Sequence, residues 1–203
     1  MEKYSVSRET LKKLELYNQM LIEWQNKFNL VSNSSVENAW KRHFEDSAQL
    51  FKCIPDGAKT LIDFGSGAGF PAMVIAIMAD EKTPYLKITM VESVGKKTLF
   101  LNAVADATNT SVAIISDRIE NISLQKFDVI TSRAMTSLKR LLDYSYDFCH
   151  KDTVCIFPKG KKYALELSEA HKFWKFKCRI VQSNISEEGK ILIINNISKK
   201  RRK

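Results

Sequence analysis

Apolar residues recur every three or four positions near the start of the chain. Leu14, Tyr17, Leu21, Trp24 and Phe28 form one stripe, Ser7 stands ready as an N-cap, and Glu9 sits in the first turn, so residues 7–30 read as an amphipathic helix. Trp24 and Phe28 read as residues that dock this helix on a core rather than as platforms for stacked bases. Ser34 and Glu37 have the spacing of a capping box for a second helix that runs to about Phe51. Pro55, Asp56 and Gly57 then punctuate the chain.

Beyond that point the period changes. Residues 61–64, 87–92, 112–116, 127–131 and 153–157 read as short strands, and residues 71–80, 95–108, 136–148 and 161–171 as the helices between them. Residues 176–182 and 190–197 read as a closing hairpin that turns near Glu187 to Gly189. Alternating strands and helices imply an α/β fold, with a mostly parallel sheet, helices on both faces and an antiparallel edge. The expected organisation is a helical extension over residues 1–56, packed on a core over residues 57–203 that ends in a basic tail.

The first strand leads into Asp63-Phe64-Gly65-Ser66-Gly67-Ala68-Gly69-Phe70-Pro71. Open α/β sheets bind ligands at this end of their strands, and glycines let the backbone approach a ligand closely. Phe70 stands where a dinucleotide fingerprint requires its third glycine, and no lysine follows as in a phosphate-binding loop. Glu92, ending the second strand, is suited to accept hydrogen bonds from a ribose diol. A ligand with a ribose and no pyrophosphate fits S-adenosylmethionine better than a nicotinamide dinucleotide. Asp63, Gly65, Gly67, Gly69 and Glu92 are its candidate contacts, against the plainer reading of a structural strand–helix turn. The loop Asp117-Arg118-Ile119-Glu120 follows the third strand and is expected over the adenine, with the Phe70 or Ile119 side chain covering the ring.

The fourth strand ends in Thr131-Ser132-Arg133-Ala134, the position that faces a transferring methyl group. It lacks the Asn/Asp-Pro-Pro-Tyr loop common for exocyclic amines, and it lacks the cysteine nucleophile that pyrimidine C5 requires. Guanine N7 carries a free lone pair and no proton, so its methylation needs alignment and a dry site rather than a general base. Arg133 is read as a holder of the cofactor carboxylate or of the O6/phosphate side of a guanine, with an ion pair to an acid such as Asp63 as the alternative.

The net charge of +9 is localised. Residues 1–58 carry eight basic and eight acidic side chains, residues 59–150 ten of each, and residues 151–203 fourteen basic and five acidic. A basic field confined to the last quarter favours a polyanion such as RNA, although a solvated face and tail would read the same way. No apolar run is long enough for a membrane helix, and Met1 to Thr10 is too polar for a signal peptide, so a cytoplasmic protein is expected. Cys53, Cys149, Cys155 and Cys178 form no C-x-x-C pair, and none of the three histidines is spaced with them as a ligand, so no metal site is expected.

Together these pieces resemble the bacterial small-subunit rRNA (guanine-N7)-methyltransferase family, RsmG, also called glucose-inhibited division protein B. The matching segments are Trp24-Gln25-Asn26-Lys27-Phe28-Asn29-Leu30, Arg42-His43-Phe44-Glu45-Asp46-Ser47, Asp63 to Pro71, Glu92-Ser93-Val94-Gly95-Lys96-Lys97 with Phe100-Leu101, Arg118-Ile119-Glu120, Ser132-Arg133-Ala134 and Pro158-Lys159-Gly160. The R-H-x-x-D-S and G-x-G-F-P pieces are the specific ones. The resemblance implies a Rossmann-like class I methyltransferase fold, S-adenosylmethionine as cofactor, and methylation of guanine N7 in 16S rRNA near the decoding site. It implies cofactor contacts from Gly65, Phe70, Ile119, Glu120 and Arg133, and Ser93, next to Glu92, joins the candidate set. Two departures stand out: Ala72 where the family usually has glycine, which crowds the first helical turn slightly, and Gln25 where it usually has asparagine.

On a regular helix Arg42 and Asp46 are an i,i+4 pair, and His43 and Asp46 an i,i+3 pair. Besides a surface ion pair, this suggests that Arg42 and His43 border the RNA entrance while Asp46 orients them or offsets charge developing on the base; with Arg133 they are the catalytic candidates. Lys96, Lys97, Lys159, Lys161 and Lys162 are candidate phosphate contacts in 16S rRNA or the small subunit, with solvated surface as the alternative. The rival functions are a methyltransferase acting on another RNA or a small molecule, and a non-catalytic RNA-binding assembly factor.

Overall fold

The computed structural model describes residues 5–32 and 36–200. The first helix, α1 (Arg8–Phe28), starts where the sequence predicts, with the Ser7 hydroxyl accepting a hydrogen bond from the Thr10 amide at 3.1 Å. Its buried positions are Thr10, Leu14, Tyr17, Leu21 and Gln25. The stripe therefore ends on Gln25 rather than on Trp24 and Phe28, which are half-buried at its border. The Trp24 ring lies 5.4 Å from Phe100 and 5.6 Å from Phe28, in the docking role expected of it.

The second helix departs further from expectation. Ser34, the expected cap, lies outside the described residues. Helix α2 combines a π-helical turn (Trp40–Glu45), an α-helical turn (Asp46–Ala48) and a 3-10 turn (Gln49–Cys53). A π turn bonds i to i+5, so the regular alignment expected for Arg42 and Asp46 does not apply.

The core is one seven-stranded sheet in the order β3-β2-β1-β4-β5-β7-β6. Strands β1 (Thr60–Phe64), β2 (Lys87–Val91), β3 (Ala113–Ile115), β4 (Phe127–Thr131) and β5 (Cys149–Lys159) are parallel. β7 (Lys190–Lys199) runs antiparallel to both β5 and β6 (Trp174–Gln182), which is the predicted antiparallel edge. β5 begins earlier than predicted, because its register against β4 jumps between Phe127 and Val129 and leaves a polar bulge inside the strand. Helices α3 (Ala72–Lys82), α4 (Gly95–Thr108), α5 (Leu138–Ser145) and α6 (Tyr163–Phe173) cover the faces.

Alternate strand residues feed two cores. Leu61, Met90, Val129 and Ile156 pack with α1 to α4, whereas Ile62, Val91, Ile130 and Cys155 pack with α5 and α6. Every residue of α3 from Ala72 to Ala79 is buried, because α1 and α2 cover the face that solvent would otherwise reach. The extension thus shares its core with the sheet. The Glu81 carboxylate at the end of α3 accepts from the Ser7 amide at 2.9 Å and the Thr10 hydroxyl at 2.6 Å, and Lys13 pairs with Asp80 at 2.9 Å.

The closest junction lies in the middle of α1. The Tyr17 hydroxyl donates to the Ala68 carbonyl inside the glycine loop. Gly69 next to it has φ +100°, and a Cβ there would meet the Tyr17 hydroxyl and come within 3.0 Å of Leu101 and Met73. Gly57 also has a positive φ, +78°, but faces open space. Gly57→Ala is therefore expected to lose about 1 kcal/mol from backbone strain alone. Gly69→Ala adds overpacking to strain and should lose about 3 kcal/mol or more. Urea unfolding of the two variants checks this, and equal losses would refute the close packing of Tyr17 on the loop.

Candidate functional site

A cavity of about 790 Å³ opens at the carboxyl ends of β1, β2 and β4, where β1 sits between strands wound in opposite directions. Its floor is the glycine loop, represented in the lining by Gly65, Ser66, Gly67 and Ala68. The loop is tied down on two sides. The Ser66 amide donates to the Val91 carbonyl at 3.0 Å, and the Gly67 amide donates to the Glu92 carboxylate at 2.8 Å. The other Glu92 oxygen accepts from the Val94 amide at 2.8 Å, so the carboxylate is fixed as an acceptor at the cavity wall. Gly65 has φ +64°, and a Cβ there would stand 2.9 Å from the Met135 side chain, which closes the cavity from the loop after β4.

Gly65, Gly67, Phe70, Glu92, Ser93, Ile119, Glu120 and Arg133 all line this cavity. Asp63 and Gly69 do not: both lie behind the loop, Gly69 against Tyr17 and Asp63 in the core. Asp63 Oδ1 accepts from the Thr131 hydroxyl at 2.7 Å, while Oδ2 is buried without a partner. Burial raises its pKa to about 7, against the lowering effect of Thr131 and of the nearby Arg133 cation. Phe70, like Ile119, is a buried residue of the cavity wall. It stacks on Tyr17 at 5.3 Å and on His43 at 4.9 Å, and the Arg133 guanidinium lies 5.1 Å from its centroid. Ile119 sits in a short 3-10 turn whose preceding loop Asp117 braces, and it lines the cavity as Phe70 does.

Arg133 is the most heavily engaged side chain at the mouth. Nη1 donates to the Arg42 carbonyl at 3.0 Å and to the Asp46 carboxylate at 3.2 Å, and Nη2 lies 2.9 Å from His43 Nδ1. Its partner is thus Asp46, not Asp63 as the sequence alternative had it, because α2 crosses the end of β4 and brings its own carboxylate nearer. A guanidinium has no lone pair to accept with, so His43 Nδ1 accepts and the ring's proton resides on Nε2. Burial, then the charges of Arg133 and Arg42, lower the His43 pKa to about 4, and the ring is neutral at pH 7.

A second cavity of about 460 Å³ adjoins the first and shares Arg133, Ala134 and Met135 with it. Asp46 lines this one rather than the first. Of the candidate phosphate contacts, Lys97 lines the first cavity, and Lys96, Lys161 and Lys162 are exposed nearby in sequence. Lys161 pairs with Glu188 at 3.1 Å across the surface. Lys159 differs from expectation: its side chain is only 9% exposed, and Nζ donates to Glu166 at 2.8 Å and to the Thr136 carbonyl at 2.8 Å. It braces the second cavity instead of offering a free cation.

Sequence reasoning missed several wall residues. Met135 and Tyr144 carry no motif, and Tyr17, which supports the floor from behind, reads only as one apolar position of a stripe. Leu30, Val31 and Ser32 also line the cavity, held by Gln25, whose amide nitrogen donates to the Val31 carbonyl and whose amide oxygen accepts from the Val31 amide, both at 3.0 Å. Among the described residues no group of histidine, cysteine, aspartate and glutamate is arranged to hold a metal ion, and no helix is long and apolar enough to cross a membrane.

Solved structures similar in fold include a ribosomal protein L11 methylase from Lactobacillus delbrueckii subsp. bulgaricus (TM-score 0.60, 14% identity, 79% of each chain covered). Another is a SAM dependent methyltransferase from Aquifex aeolicus (TM-score 0.60, 14% identity, 81% of this chain and 98% of that one). At such identities they establish the Rossmann-like methyltransferase fold. Sequence relatives are nearer. A ribosomal RNA small subunit methyltransferase G from Paramagnetospirillum magneticum is 39% identical over 201 residues, 99% of this chain and 96% of the relative. The protein of the same name from Rickettsia bellii is 36% identical over 96% of this chain and 97% of the relative. The family model described as rRNA small subunit methyltransferase G, GidB, matches residues 10–193, and the chain belongs to that family.

Proposed function

We propose that this protein transfers a methyl group from S-adenosylmethionine to N7 of a guanine in 16S rRNA, in the small ribosomal subunit or its precursor. The observation that carries the choice of N7 is the state of the acids and the imidazole around the first cavity. Glu92 holds two backbone amides, Asp117 and Glu120 accept from Asn121 and Tyr144, and His43 is neutral with Nδ1 committed to Arg133. None is poised to remove a proton, and N7 has none to remove.

The residues present fit the cofactor. The cavity is large enough for a nucleoside, Glu92 has acceptor oxygens that would suit a ribose diol, and the loop would allow close approach because Gly65 has no Cβ. Behind the loop, the unpartnered oxygen of Asp63 makes the site favourable for a positive charge. When bound, S-adenosylmethionine supplies an electrophilic methyl on a cationic sulfur. The chain's own part is alignment and exclusion of water. Ile119, Ser93 and Glu120 line the cavity and would hold the nucleoside of the cofactor, and Arg133 would fix the mouth where the guanine enters. Arg42, His43 and Asp46 act on Arg133 as positioning groups. The partial neutralisation of Arg133 by Asp46 lowers the repulsion that a base gaining positive charge meets there.

Incubation of the purified protein with labelled S-adenosylmethionine and small subunits from cells lacking the enzyme tests this reading, with mapping of the labelled base. Label as N7-methylguanine at one position, lost in Gly65→Arg, is expected. Intact cofactor binding with no transfer to subunits, precursors or naked 16S rRNA would favour another RNA or a small molecule as substrate.

Two finer outcomes follow from the geometry. Arg133→Lys cannot span three acceptors, and kcat/KM should fall about a hundredfold. His43→Gln retains an oxygen that can accept from Arg133 and should lose less than about tenfold. His43→Lys places a cation against the guanidinium and should lose as much as Arg133→Lys. Equal damage from the Gln and Lys variants would mean that the imidazole itself acts on substrate.

The second concerns pH. The folded pKa of Asp63, about 7, lies above its ordinary value of 3.8, so the native state binds the proton more tightly than the unfolded chain. Stability without cofactor should therefore fall as pH rises from about 4 to about 7 and level off above it. A cationic cofactor favours the ionised carboxylate, so its affinity should rise across the same interval near pH 7. Calorimetric titration of S-adenosylmethionine and of its uncharged-sulfur product at pH 6 and 8 checks the sign. Asp63→Asn should flatten both trends, and a wild-type affinity independent of pH would sink the assignment.

A further inference from the structure

Strand β6 has the sequence Trp174-Lys175-Phe176-Lys177-Cys178-Arg179-Ile180-Val181-Gln182 and forms the outer edge of the sheet. Trp174, Phe176 and Cys178 pack into the core formed with α5 and α6. Lys175, Lys177 and Arg179 alternate with them and are exposed on the other face, the one that carries the N-terminal extension. The irregularity in the β6–β7 pairing does not disturb this alternation. Lys175 pairs with Ser198 and Lys177 with Asn195, so the extra residue is on β7, where Asn196 has φ +54°.

Two features set this stripe apart. β6 and β7 contain no acidic residue, and among the described residues no carboxylate forms an ion pair with Lys175, Lys177 or Arg179, so three like charges alternate on one strand face. The strand also leads to the site. Ser183, which follows it, lines the second cavity with Asp46, and Gln49 of α2 bonds both to Ser183 at 3.1 Å and to Asp46 at 2.8 Å. At the same end, Arg179 lowers the pKa of the half-buried Cys53 thiol against the rise that burial causes, which puts the guanidinium beside the end of α2.

We infer that Lys175, Lys177 and Arg179 are a phosphate track that holds one strand of the substrate RNA along the β6 edge, running toward the second cavity. This rests on the proposed rRNA substrate and adds where the RNA lies. Alternate residues of a strand are about 6.6 Å apart, so the three cations span about 13 Å, a spacing that suits successive phosphates of one strand. The contacts are with the backbone, so they supply affinity and position rather than sequence choice. Lysines on an edge strand also deter edge-to-edge pairing of sheets, and the experiment must separate the two roles.

The triple variant Lys175→Gln/Lys177→Gln/Arg179→Gln is compared with a control of equal charge change, Lys12→Gln/Lys59→Gln/Lys87→Gln, at exposed positions away from both cavities. Binding to small subunits lacking the modification is followed against salt concentration with S-adenosylmethionine's demethylated product present. Loss of three single-strand phosphate contacts should flatten the slope of log K against log salt by about 2 and raise KM for subunits about tenfold or more. Saturating kcat and cofactor affinity should stay as in wild type. The charge-preserving Lys175→Arg/Lys177→Arg/Arg179→Lys variant should keep the wild-type slope. If both Gln triples flatten the slope alike, or if the β6 triple aggregates yet binds with an unchanged slope, the track is overturned. Failure of wild type to label subunits would overturn the substrate reading and the track's occupant with it, whereas labelling with an unchanged β6-triple slope overturns the track alone.

Discussion

A tyrosine hydroxyl meets the backbone of the glycine loop where any side chain on the loop would stop it. Tyr17 donates to the Ala68 carbonyl, and Gly69 leaves the space for it. The helix that carries Tyr17 is consequently fixed to the floor of the first cavity, although none of its residues lines it. The same ring stacks on Phe70, which stacks on His43, which accepts from Arg133. From α1 to the end of β4, one chain of contacts sets the floor and the mouth of the cavity together. A change in the docking of the extension is therefore felt at Arg133, although α1 itself contributes no charged group to the lining.

The electrostatics follow from the same packing. Arg133 is surrounded by three acceptors, two of them uncharged: a carbonyl oxygen and an imidazole nitrogen. Only Asp46 carries a full negative charge, so the guanidinium keeps part of its field at the mouth. A protonated His43 would place a second cation and a misdirected N–H against it, and burial together with the arginines keeps the ring neutral. On the far side of the loop Asp63 is in the opposite condition, an acid whose ionised form has too few partners. On the proposed function, these conditions suit a site that receives positive charge on the cofactor side and orients rather than deprotonates on the substrate side. For a nucleophile that already owns its lone pair, this is the demand of the chemistry.

The sheet was legible because its signals are local. Strands β1 and β4 and helix α4 stand within one residue of where periodicity and turn residues put them, and the hairpin closes the sheet as an antiparallel edge. The N-cap at Ser7 was legible for the same reason. The π turn at Trp40–Glu45 was not, since a widened turn has no composition of its own and changes which residues face one another. In the site, the candidate cofactor contacts line the first cavity, with the exceptions of Asp63 and Gly69, whose places are set by packing behind the loop. What lay beyond reach were long-range pairings. Nothing local in the sequence says that Lys159 finds Glu166 and Thr136, or that Arg133 finds α2 instead of Asp63.

Gln25 shows how a departure from the family's usual asparagine is absorbed. Its side chain leaves α1 on the buried face and reaches the chain beyond the helix end, where it satisfies both backbone groups of Val31. A carboxamide does this as a strand partner would, with one donor and one acceptor aligned on the same residue. The helix ends at Phe28, with Asn29 at positive φ turning the chain, so the segment Leu30 to Ser32 has no secondary structure to hold it. The amide of Gln25 supplies that hold, and the segment forms one wall of the first cavity. This wall of the first cavity is then held by α1 through a buried amide, in the same way that the floor is fixed by α1 through a buried hydroxyl.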